Sequence, residues 1–359
     1  MKYLWLLLAP CVLAGCQRND AEQKRDVVER EAKDISPPES TGLQFVAVEG
    51  EMPPLAPTLS TLPVQVILDR IGFSPGVIDG KTGQSFVLAL KAFQDANDIA
   101  QSGELDTATT DALRKFTVPA TRLVRIPAEF AAGPFIPDFP EDVADQAKLP
   151  ALGYRNIMEA LAERFHTTPE TLVALNSPET AVAVNAVIRV PNISDVTMPG
   201  PDDAERGWDK TLQTLGVASD QPEVANIVVD KSEGVLRAFG ADEKLIAQFP
   251  ATMGSERDPL PLGNWTVKGV ARNPDFHYNP KLFWDVSDSK DKQLLKPGPN
   301  GPVGVVWIDL SKPHYGIHGT GEPATIGRAE SHGCVRLTNW DAAKLAGMVK
   351  TGVKVVFQK

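Results

Sequence analysis

Apolar residues near the amino terminus recur at the spacing of amphipathic helices. Between residues 59 and 117, three sets repeat at i, i+3, i+4 and i+7, which predicts three helices that each turn one apolar face inward. The sets are Val64, Ile67, Leu68 and Ile71; Phe86, Ala89, Leu90 and Phe93; and Thr109, Ala112, Leu113 and Phe116. The glycine-rich turn GFSPGVIDGKTG separates the first two sets, and Asp106 is typical of an N-cap before the third. The pattern predicts a compact three-helix unit.

A second helical pattern lies within residues 151–194. Its apolar positions are Ile157, Ala160, Leu161 and Phe165. Thr168 and Pro169 are typical of an N-cap and a first helical position, so they predict the start of another helix. The β-branched run AVIRVPNI then predicts a strand.

From residue 223 to residue 358 the pattern changes to short β-rich runs bounded by turn residues, which predicts a mainly β domain. The runs are ANIVVDKSEGVLRAF, LIAQFPATMG, GNWTVKGVA, VGVVWIDL, YGIHGT and GVKVVFQ. One helix is predicted over NWDAAKLAGMVKTG, with Asn339 as its cap and Gly352 just past its end. The chain is therefore predicted to be a multidomain α+β protein.

Three segments show neither helical nor strand periodicity. Residues 17–58 are polar and charged, then proline-rich, which predicts a flexible tether. Residues 118–150 and 195–222 are rich in proline and acidic residues and are predicted to be linkers, although RLVRIPAEF in the first is compatible with a short strand.

The first sixteen residues have the pattern of a signal peptide. Lys2 precedes an apolar run from Leu4 to Leu13, and small residues follow it. The run is about half the ~20 residues that a membrane-spanning helix needs, so the segment predicts export rather than a permanent transmembrane anchor. The net charge of −10 argues against a nucleic-acid partner, because such partners are polyanions.

The end of this leader, Leu13-Ala14-Gly15-Cys16, resembles the lipobox of bacterial lipoproteins. The resemblance implies that the mature chain begins at Cys16 and is attached to a membrane through lipid on that residue. Gln17 in the next position resembles the outer-membrane sorting pattern of Gram-negative lipoproteins, which implies that the mature chain faces the periplasm. Cys334 would then be the only thiol of the mature chain, with no intrachain disulfide partner.

Four of the five histidines lie in the mainly β domain together with Cys334: His277, His314, His318 and His332. Zinc ligands usually occur at close paired spacings such as HExxH or CxxC, and none is present, so the sequence predicts no metal. A cysteine nucleophile needs a base and backbone N–H donors for the oxyanion. The glycine in SHGC would let successive backbone N–H groups converge on a substrate carbonyl, and the histidine in GIHGT could serve as the base.

The segments YGIHGT and SHGCVRL together closely resemble the signature of the bacterial L,D-transpeptidases, whose catalytic domain is of the YkuD type. Upstream segments resemble the same family: PLGNWTVKGV, NPDFHYNP and LKPGPNGPVGVVWIDL. The resemblance covers roughly residues 224–357 and implies a catalytic domain over residues 223–358 that needs no cofactor.

The resemblance also implies a mechanism. Cys334 would attack the carbonyl of meso-diaminopimelate, or of another third-position diamino acid, in a stem tetrapeptide. D-Alanine would leave, and the resulting thioester would transfer its acyl group to an amine. His318 would be the base and later the acid, with its other ring nitrogen held by the backbone carbonyl of Gly319.

Supporting roles are implied for the neighbouring residues. The backbone N–H groups of His332, Gly333 and Cys334 would form the oxyanion hole, and Arg336 would lie near the substrate or hold the loop. A structural hydrogen bond remains an alternative for His332, as does a structural ion pair for Arg336. The remaining histidines have simpler predicted roles: His277 and His314 as packing or substrate-lining residues, and His166 as a surface residue.

Two upstream segments resemble modules that bind the cell wall. GVIDGKTG…ALKAFQDANDIAQSGELD resembles a peptidoglycan-binding module, and LAERFHTTPETLVALNS…VIRVPNI resembles a βααβ LysM domain without its usual glycine-aspartate-threonine start. The implied partners are stem peptides and glycan strands of peptidoglycan. The leading hypothesis is a lipid-anchored transpeptidase. A hydrolase of the same fold and a non-catalytic tether between membrane and wall remain alternatives. The acceptor also remains open: another stem, a membrane protein, a D-amino acid or water.

Overall fold

The computed structural model describes residues 42–196, 205–282, 287, 290–328 and 333–359. The predicted signal peptide, the lipidation site Cys16, residues 17–41 of the predicted tether, and His332 lie outside the described residues. The described part belongs to one compact unit. None of the helices in the described residues has the length and apolar content of a membrane-spanning segment.

Three helices form the first module. They are α1 (Leu62–Arg70), α2 (Gln84–Ala96) and α3 (Thr107–Leu113). The Asp106 carboxylate accepts a hydrogen bond from the Thr109 N–H at 2.8 Å and so caps α3 as predicted. Phe86, Leu90 and Phe93 are buried in the core of this module. The prediction of a three-helix unit is confirmed.

A small antiparallel sheet and four helices form the second part of the structure. The sheet has the order β1-β2-β3. Its strands are β1 (Val46–Val48), β2 (Thr121–Arg125) and β3 (Val187–Pro191), and the helices are α4 (Ala128–Ala132), α5 (Val143–Gln146), α6 (Ile157–Arg164) and α7 (Pro169–Leu175). Thr168 caps α7 by accepting from the Thr171 N–H, as predicted.

The predicted tether and linkers differ from the structure. Strand β1 lies within residues 17–58, while β2, α4 and α5 lie within residues 118–150. The ring of Phe45 packs edge-to-face on Phe130 and Phe165 at 4.9 and 5.1 Å, so aromatic burial fixes β1 in a segment whose composition is otherwise that of a tether. The strand that precedes the helix pair α6–α7 is thus β2, outside the predicted span of 151–194.

The carboxy-terminal part is mainly β, as predicted. Its first element is helix α8 (Trp208–Leu215), which lies inside the predicted linker 195–222. The helix belongs to this part because Trp208, Leu212 and Leu215 are buried in its core. A nine-stranded sheet follows in the order β6-β5-β4-β14-β8-β11-β12-β13-β7, and β9 pairs with β10 separately. The strands are β4 (Asn226–Asp230), β5 (Val235–Phe239), β6 (Leu245–Pro250), β7 (Thr252–Met253), β8 (Gly263–Arg272), β9 (Phe276–Tyr278), β10 (Gln293–Leu295), β11 (Val306–Leu310), β12 (Gly316–His318), β13 (Val335–Arg336) and β14 (Lys354–Gln358).

The helix that packs on this sheet is α9 (Asn339–Met348). Its cap is Thr338, whose hydroxyl accepts from the Asp341 N–H at 3.1 Å, so the prediction that Asn339 caps the helix was wrong. Both residue types cap helices, and here Thr338 has the extended backbone that the position requires. Asn339 is the first helical residue, and its buried side chain turns towards the second part of the structure.

The helical module docks directly on the nine-stranded sheet. Phe73 forms a parallel bridge with Gln248 of β6. The Ser74 N–H donates to the Gln248 carbonyl at 2.8 Å, and the Gln248 N–H donates to the Gly72 carbonyl at 3.0 Å. The Gln248 side chain also donates to the carbonyl of Leu88 at 2.8 Å. These bonds fix the orientation of the module relative to the sheet.

His166 lies buried where the three parts meet, so its prediction as a surface residue was wrong. Its Nδ1 lies 3.0 Å from the carboxylate of Asp69 in α1, and its Nε2 lies 2.9 Å from the Leu215 carbonyl in α8. The ring stacks on Trp340 of α9 at 5.1 Å. Lys344 of α9 donates to the same Asp69 carboxylate at 2.8 Å. Burial raises the pKa of Asp69, but the charges of His166 and Lys344 outweigh it and hold that pKa well below its usual range.

Candidate active site

Strand β12 places His318 inside the nine-stranded sheet. His318 pairs with Trp307 of β11 on one side and with Arg336 of β13 on the other. Gly316, two residues before it, faces the Trp307 ring so closely that a Cβ at this position would lie 2.6 Å from a ring carbon. Glycine at 316 therefore lets the Trp307 indole lie against the strand, where it stacks on the His318 ring at 5.7 Å.

The imidazole of His318 is oriented by its own backbone neighbour. His318 is 4% exposed, and its Nδ1 lies 2.8 Å from the Gly319 carbonyl oxygen. Because a carbonyl oxygen only accepts, Nδ1 carries the proton, and Nε2 keeps its lone pair. The contact with Gly319 that the family resemblance implies is present in the structure.

Cys334 lies beside β12 at the start of β13. Its Sγ donates to the His314 carbonyl at 3.8 Å, and the backbone of Gly316 also hydrogen-bonds the thiol. The strands pair in parallel with Ile317 opposite Val335, so the residues before and after that pair point to the other face of the sheet. His318, Cys334 and Arg336 therefore share one face of the β12–β13 pair.

Gly333 precedes the nucleophile candidate in a conformation that favours glycine. Its φ is 97°, and a Cβ there would lie 2.7 Å from the ring of Tyr315. A side chain at 333 would thus be strained by the backbone and by Tyr315 together. The predicted oxyanion donors include His332, which lies outside the described residues, so its role stays a prediction.

Arg336 is half-buried beside Cys334. Burial lowers its pKa, and electrostatic interactions with Cys334 and Glu322 oppose that effect. Within the described ranges Arg336 takes part in no ion pair of contact distance. The rings of His277 and His314 are exposed. No group of three or more His, Cys, Asp or Glu side chains in the described residues is arranged to hold a metal ion.

Comparison with known families assigns two of the three parts. Residues 225–357 match the family model of the L,D-transpeptidase catalytic domain, YkuD. Residues 225–357 form an L,D-transpeptidase catalytic domain. Residues 62–113 match the model of a peptidoglycan binding domain, which covers α1, α2 and α3. Both predictions from the sequence motifs are confirmed.

The chain is similar to individual L,D-transpeptidases over parts of its length. The chain is similar to L,D-transpeptidase YkuD of Bacillus licheniformis, with 27% identity over 198 residues, which are 55% of this chain and 91% of the relative. It is 51% identical to L,D-transpeptidase YkuD of Bacillus subtilis over 61 residues, which are 17% of this chain and 37% of that protein. A solved L,D-transpeptidase from Mycobacterium smegmatis has 22% identity and a TM-score of 0.31, covering 38% of this chain and 59% of that one.

The transpeptidase domain holds the two candidate reacting groups in their neutral forms. Burial lowers the pKa of His318 to about 4 against the opposing effect of the Gly319 hydrogen bond, and Arg336 lowers it further. Burial also raises the pKa of the Cys334 thiol, although the Gly316 backbone and Arg336 act in the other direction. At neutral pH the pair is therefore thiol and imidazole, and the imidazole is ready to accept the thiol proton.

Two residues to which the sequence assigned no part in catalysis, Asn339 and Glu163, pack against the transpeptidase site on the side of the Gly319 backbone. The Asn339 side chain lies directly against Gly319, because a Cβ at 319 would be 2.3 Å from its Oδ1. Its Nδ2 donates to the buried carboxyl of Glu163 in α6 at 3.0 Å. Asn339 thus packs against Gly319, whose carbonyl orients His318, and Asn339 is itself held by Glu163 in another part of the chain. Glu163 and Asn339 are 176 positions apart, so no local pattern could have found the pair.

Proposed function

We propose that this chain is a peptidoglycan L,D-transpeptidase in which Cys334 is the nucleophile and His318 the general base. The observation that carries the proposal is the shared face of the β12–β13 pair, where the thiol and an oriented imidazole lie inside an L,D-transpeptidase domain. The neutral imidazole, with Nε2 unprotonated, suits a base that must take the thiol proton.

The reaction proceeds through a thioester. Sγ of Cys334 attacks the carbonyl carbon of the third residue of a stem tetrapeptide as its proton passes to Nε2 of His318. The amide bond to D-alanine breaks, and the same proton goes to the departing amine. An acceptor amine then attacks the thioester and gives its proton to His318, which returns it to the thiol. Arg336 binds a carboxylate of the donor, which its charge and lack of an ion-pair partner in the described residues support.

The other parts bring this chemistry to its polymer. The module at 62–113 binds peptidoglycan, and the LysM-like segment at 151–194 binds its glycan strands. Lipid on Cys16 attaches the chain to the outer membrane, with the folded part in the periplasm. The acceptor is an amine of a neighbouring stem. An amine of a membrane protein is a further candidate, since the chain carries its own membrane attachment in this proposal.

Acylation by a carbapenem tests the nucleophile. The intact mass of the purified protein is expected to rise by the mass of one drug molecule, and the Cys334→Ala variant is expected to show no adduct. The His318→Gln variant should be acylated at least about a hundredfold more slowly, because general-base catalysis commonly contributes at that scale. An adduct that persists in Cys334→Ala would refute the assignment.

The products of incubation with tetrapeptide muropeptides test the reaction. A transpeptidase releases D-alanine and forms cross-linked dimers, which mass spectrometry detects directly. Tripeptides without dimers would show that water is the acceptor and that the chain is a hydrolase. A Cys334→Ala variant that fully complements a deletion strain would instead identify the non-catalytic tether.

A further inference from the structure

A cleft of about 310 Å³ lies between the peptidoglycan-binding module and the transpeptidase domain. One wall is the turn and first helical residues at 75–88 of the module. The opposite wall comes from residues 231–234, 251–253 and 323–328 of the transpeptidase domain. Neither part forms this cleft alone.

The cleft lies one strand away from the nucleophile. Thr252 of β7 lines it and pairs with Arg336, so it lies on the same face of the sheet as Cys334 and His318. Adjacent strands lie about 4.8 Å apart, so a peptide whose reacting carbonyl lies at Cys334 can continue across β7 into the cleft. The Gly327 N–H donates to the Thr252 hydroxyl at 2.8 Å and fixes the 323–328 segment to β7.

The two walls are held in place by buried contacts. The Ser74 hydroxyl donates to the Asp341 carboxylate of α9 at 2.8 Å. Gly76 is buried so close to β6 that a Cβ on it would lie 3.4 Å from the ring of Pro250. Together with the Gln248 hydrogen bonds, these contacts make the cleft a preformed site rather than a gap between two tethered bodies.

Three cationic side chains line the cleft from both walls: Lys81 of the module, and Lys231 and Arg328 of the transpeptidase domain. All three are exposed, and none of them forms an ion pair with the residues that the structure describes. Two carboxylates also line the cleft, and only that of Glu233 is in an ion pair, so the three cations outnumber the one remaining carboxylate, Asp79, among the described lining residues. Asp79 accepts from the Gln65 amide at 3.0 Å, and Glu233 pairs with Arg237.

This distribution of charge selects an acidic ligand. The cleft offers three cations without carboxylate partners in the described part of the chain, which attract carboxylates. Sugar rings are commonly bound on exposed aromatic faces, but the only aromatic residue among the described lining is Phe86, which is 4% exposed. The site thus favours an acidic peptide over an uncharged glycan.

We propose that this composite cleft binds the donor stem peptide of peptidoglycan, with Lys81, Lys231 and Arg328 contacting its glutamyl and diaminopimelyl carboxylates. The inference rests on the proposed transpeptidase function and assigns the peptidoglycan-binding module a direct part in substrate recognition. The module then forms one wall of the substrate site in addition to holding the enzyme on the wall.

The test compares D-alanine release from a disaccharide-tetrapeptide by the unsubstituted protein and by the triple variant Lys81→Ala/Lys231→Ala/Arg328→Ala. We expect the KM to rise about tenfold, at about two- to threefold for each charge, with kcat changed by less than about twofold. The rise should shrink at high salt, because exposed charges are screened. A carbapenem should acylate both proteins at similar rates, since the reacting groups are untouched.

A matched control removes the same number of positive charges outside the cleft, in the exposed side chains of Lys115, Lys268 and Lys354. Its KM should stay within about twofold of the unsubstituted value. A second substrate with amidated carboxylates should show no difference between the cleft variant and the control.

The outcomes separate this inference from the proposed function. Equal KM values for the cleft variant and the control overturn the inference, as does an equal loss with the amidated substrate. Loss of binding to uncharged chitooligosaccharides without a change in KM would identify a glycan site and also overturn it. Failure of the unsubstituted protein to release D-alanine or to form a carbapenem adduct would refute the proposed function instead.

Discussion

The buried carboxyl of Glu163 should make the stability of this protein fall as the pH rises. Glu163 is 3% exposed and accepts hydrogen bonds from the Tyr154 hydroxyl at 2.8 Å and from the Asn339 amide at 3.0 Å. Burial raises its pKa to about 8 from the ordinary 4.5, against the effect of these two hydrogen bonds. The folded protein therefore keeps a proton on Glu163 at pH values where the unfolded chain has lost it.

The size and sign of the effect follow from this difference. The contribution of Glu163 to stability is fully present below pH 4.5, the value for the unfolded chain, and is lost as the pH rises through about 8. Between about pH 5 and pH 7 the unfolded chain gains the free energy of ionisation while the folded carboxyl stays protonated. At 1.36 kcal/mol per pH unit, the free energy of unfolding should fall by about 2–3 kcal/mol over this interval.

The Glu163→Gln variant removes the titration and keeps the shape of the side chain. Its amide oxygen can still accept from Asn339, and its amide nitrogen can donate to the Tyr154 hydroxyl oxygen. Urea unfolding, followed by tryptophan fluorescence at several pH values, measures the difference in free energy between the two proteins. That difference should shift by about 2–3 kcal/mol in favour of the variant between about pH 5 and pH 7.

The difference between the two proteins isolates the single group. Burial also raises the pKa of Asp341, to about 7, but this carboxyl is present in both proteins and cancels in the comparison. Parallel pH profiles for Glu163→Gln and the unsubstituted protein would show that Glu163 ionises normally, and the reasoning would fail.

Three further predictions concern the reacting groups and the junction. Carbapenem acylation, followed by stopped-flow, should proceed at a nearly constant rate between about pH 5 and pH 8, because His318 is unprotonated and Cys334 remains a thiol across that range. A tenfold rise in the acylation rate per pH unit would contradict this prediction. Gly316→Ala should lower the acylation rate and destabilise the fold by about 1–3 kcal/mol in thermal unfolding, because the added Cβ displaces the Trp307 ring. An unchanged acylation rate would contradict the contact between Gly316 and that ring. Gln248→Ala should lower the free energy of unfolding in urea by about 2 kcal/mol, because the buried Gln248 side chain hydrogen-bonds both Arg237 in the sheet and Leu88 in the helical module. An unchanged urea midpoint would contradict this stabilising role.

The sequence predicted what depends on local pattern. The three module helices followed from apolar spacing, and Thr168 and Asp106 cap helices where their types indicated. Helix α8 has a helical spacing of Trp208, Leu212 and Leu215 that the surrounding proline-rich composition concealed. Strand β1 has only three residues, so it carries no period that could be read, and its position depends on aromatic packing with distant residues.

The candidate site shows the same division. The family resemblance of two short motifs implied roles for Cys334, His318 and the Gly319 carbonyl. The structure shows the contact between His318 and that carbonyl, which joins neighbouring residues in the sequence. The support from Glu163 and Asn339 and the composite cleft depend on how separate parts dock. His166 was misassigned for the same reason: its partner Asp69 lies 97 positions away. Contacts of this kind arise from tertiary packing, which a single sequence does not display.

The bridge between Phe73 and Gln248 has a consequence for solubility. Strand β6 is the last strand on one side of the nine-stranded sheet, and an uncovered strand there would offer unpaired main-chain groups to another molecule. The Gly72–Ser74 segment takes up those groups on Gln248. A transpeptidase domain expressed without the helical module would present this strand bare and is expected to self-associate by strand addition. The helical module thus protects its neighbour from aggregation.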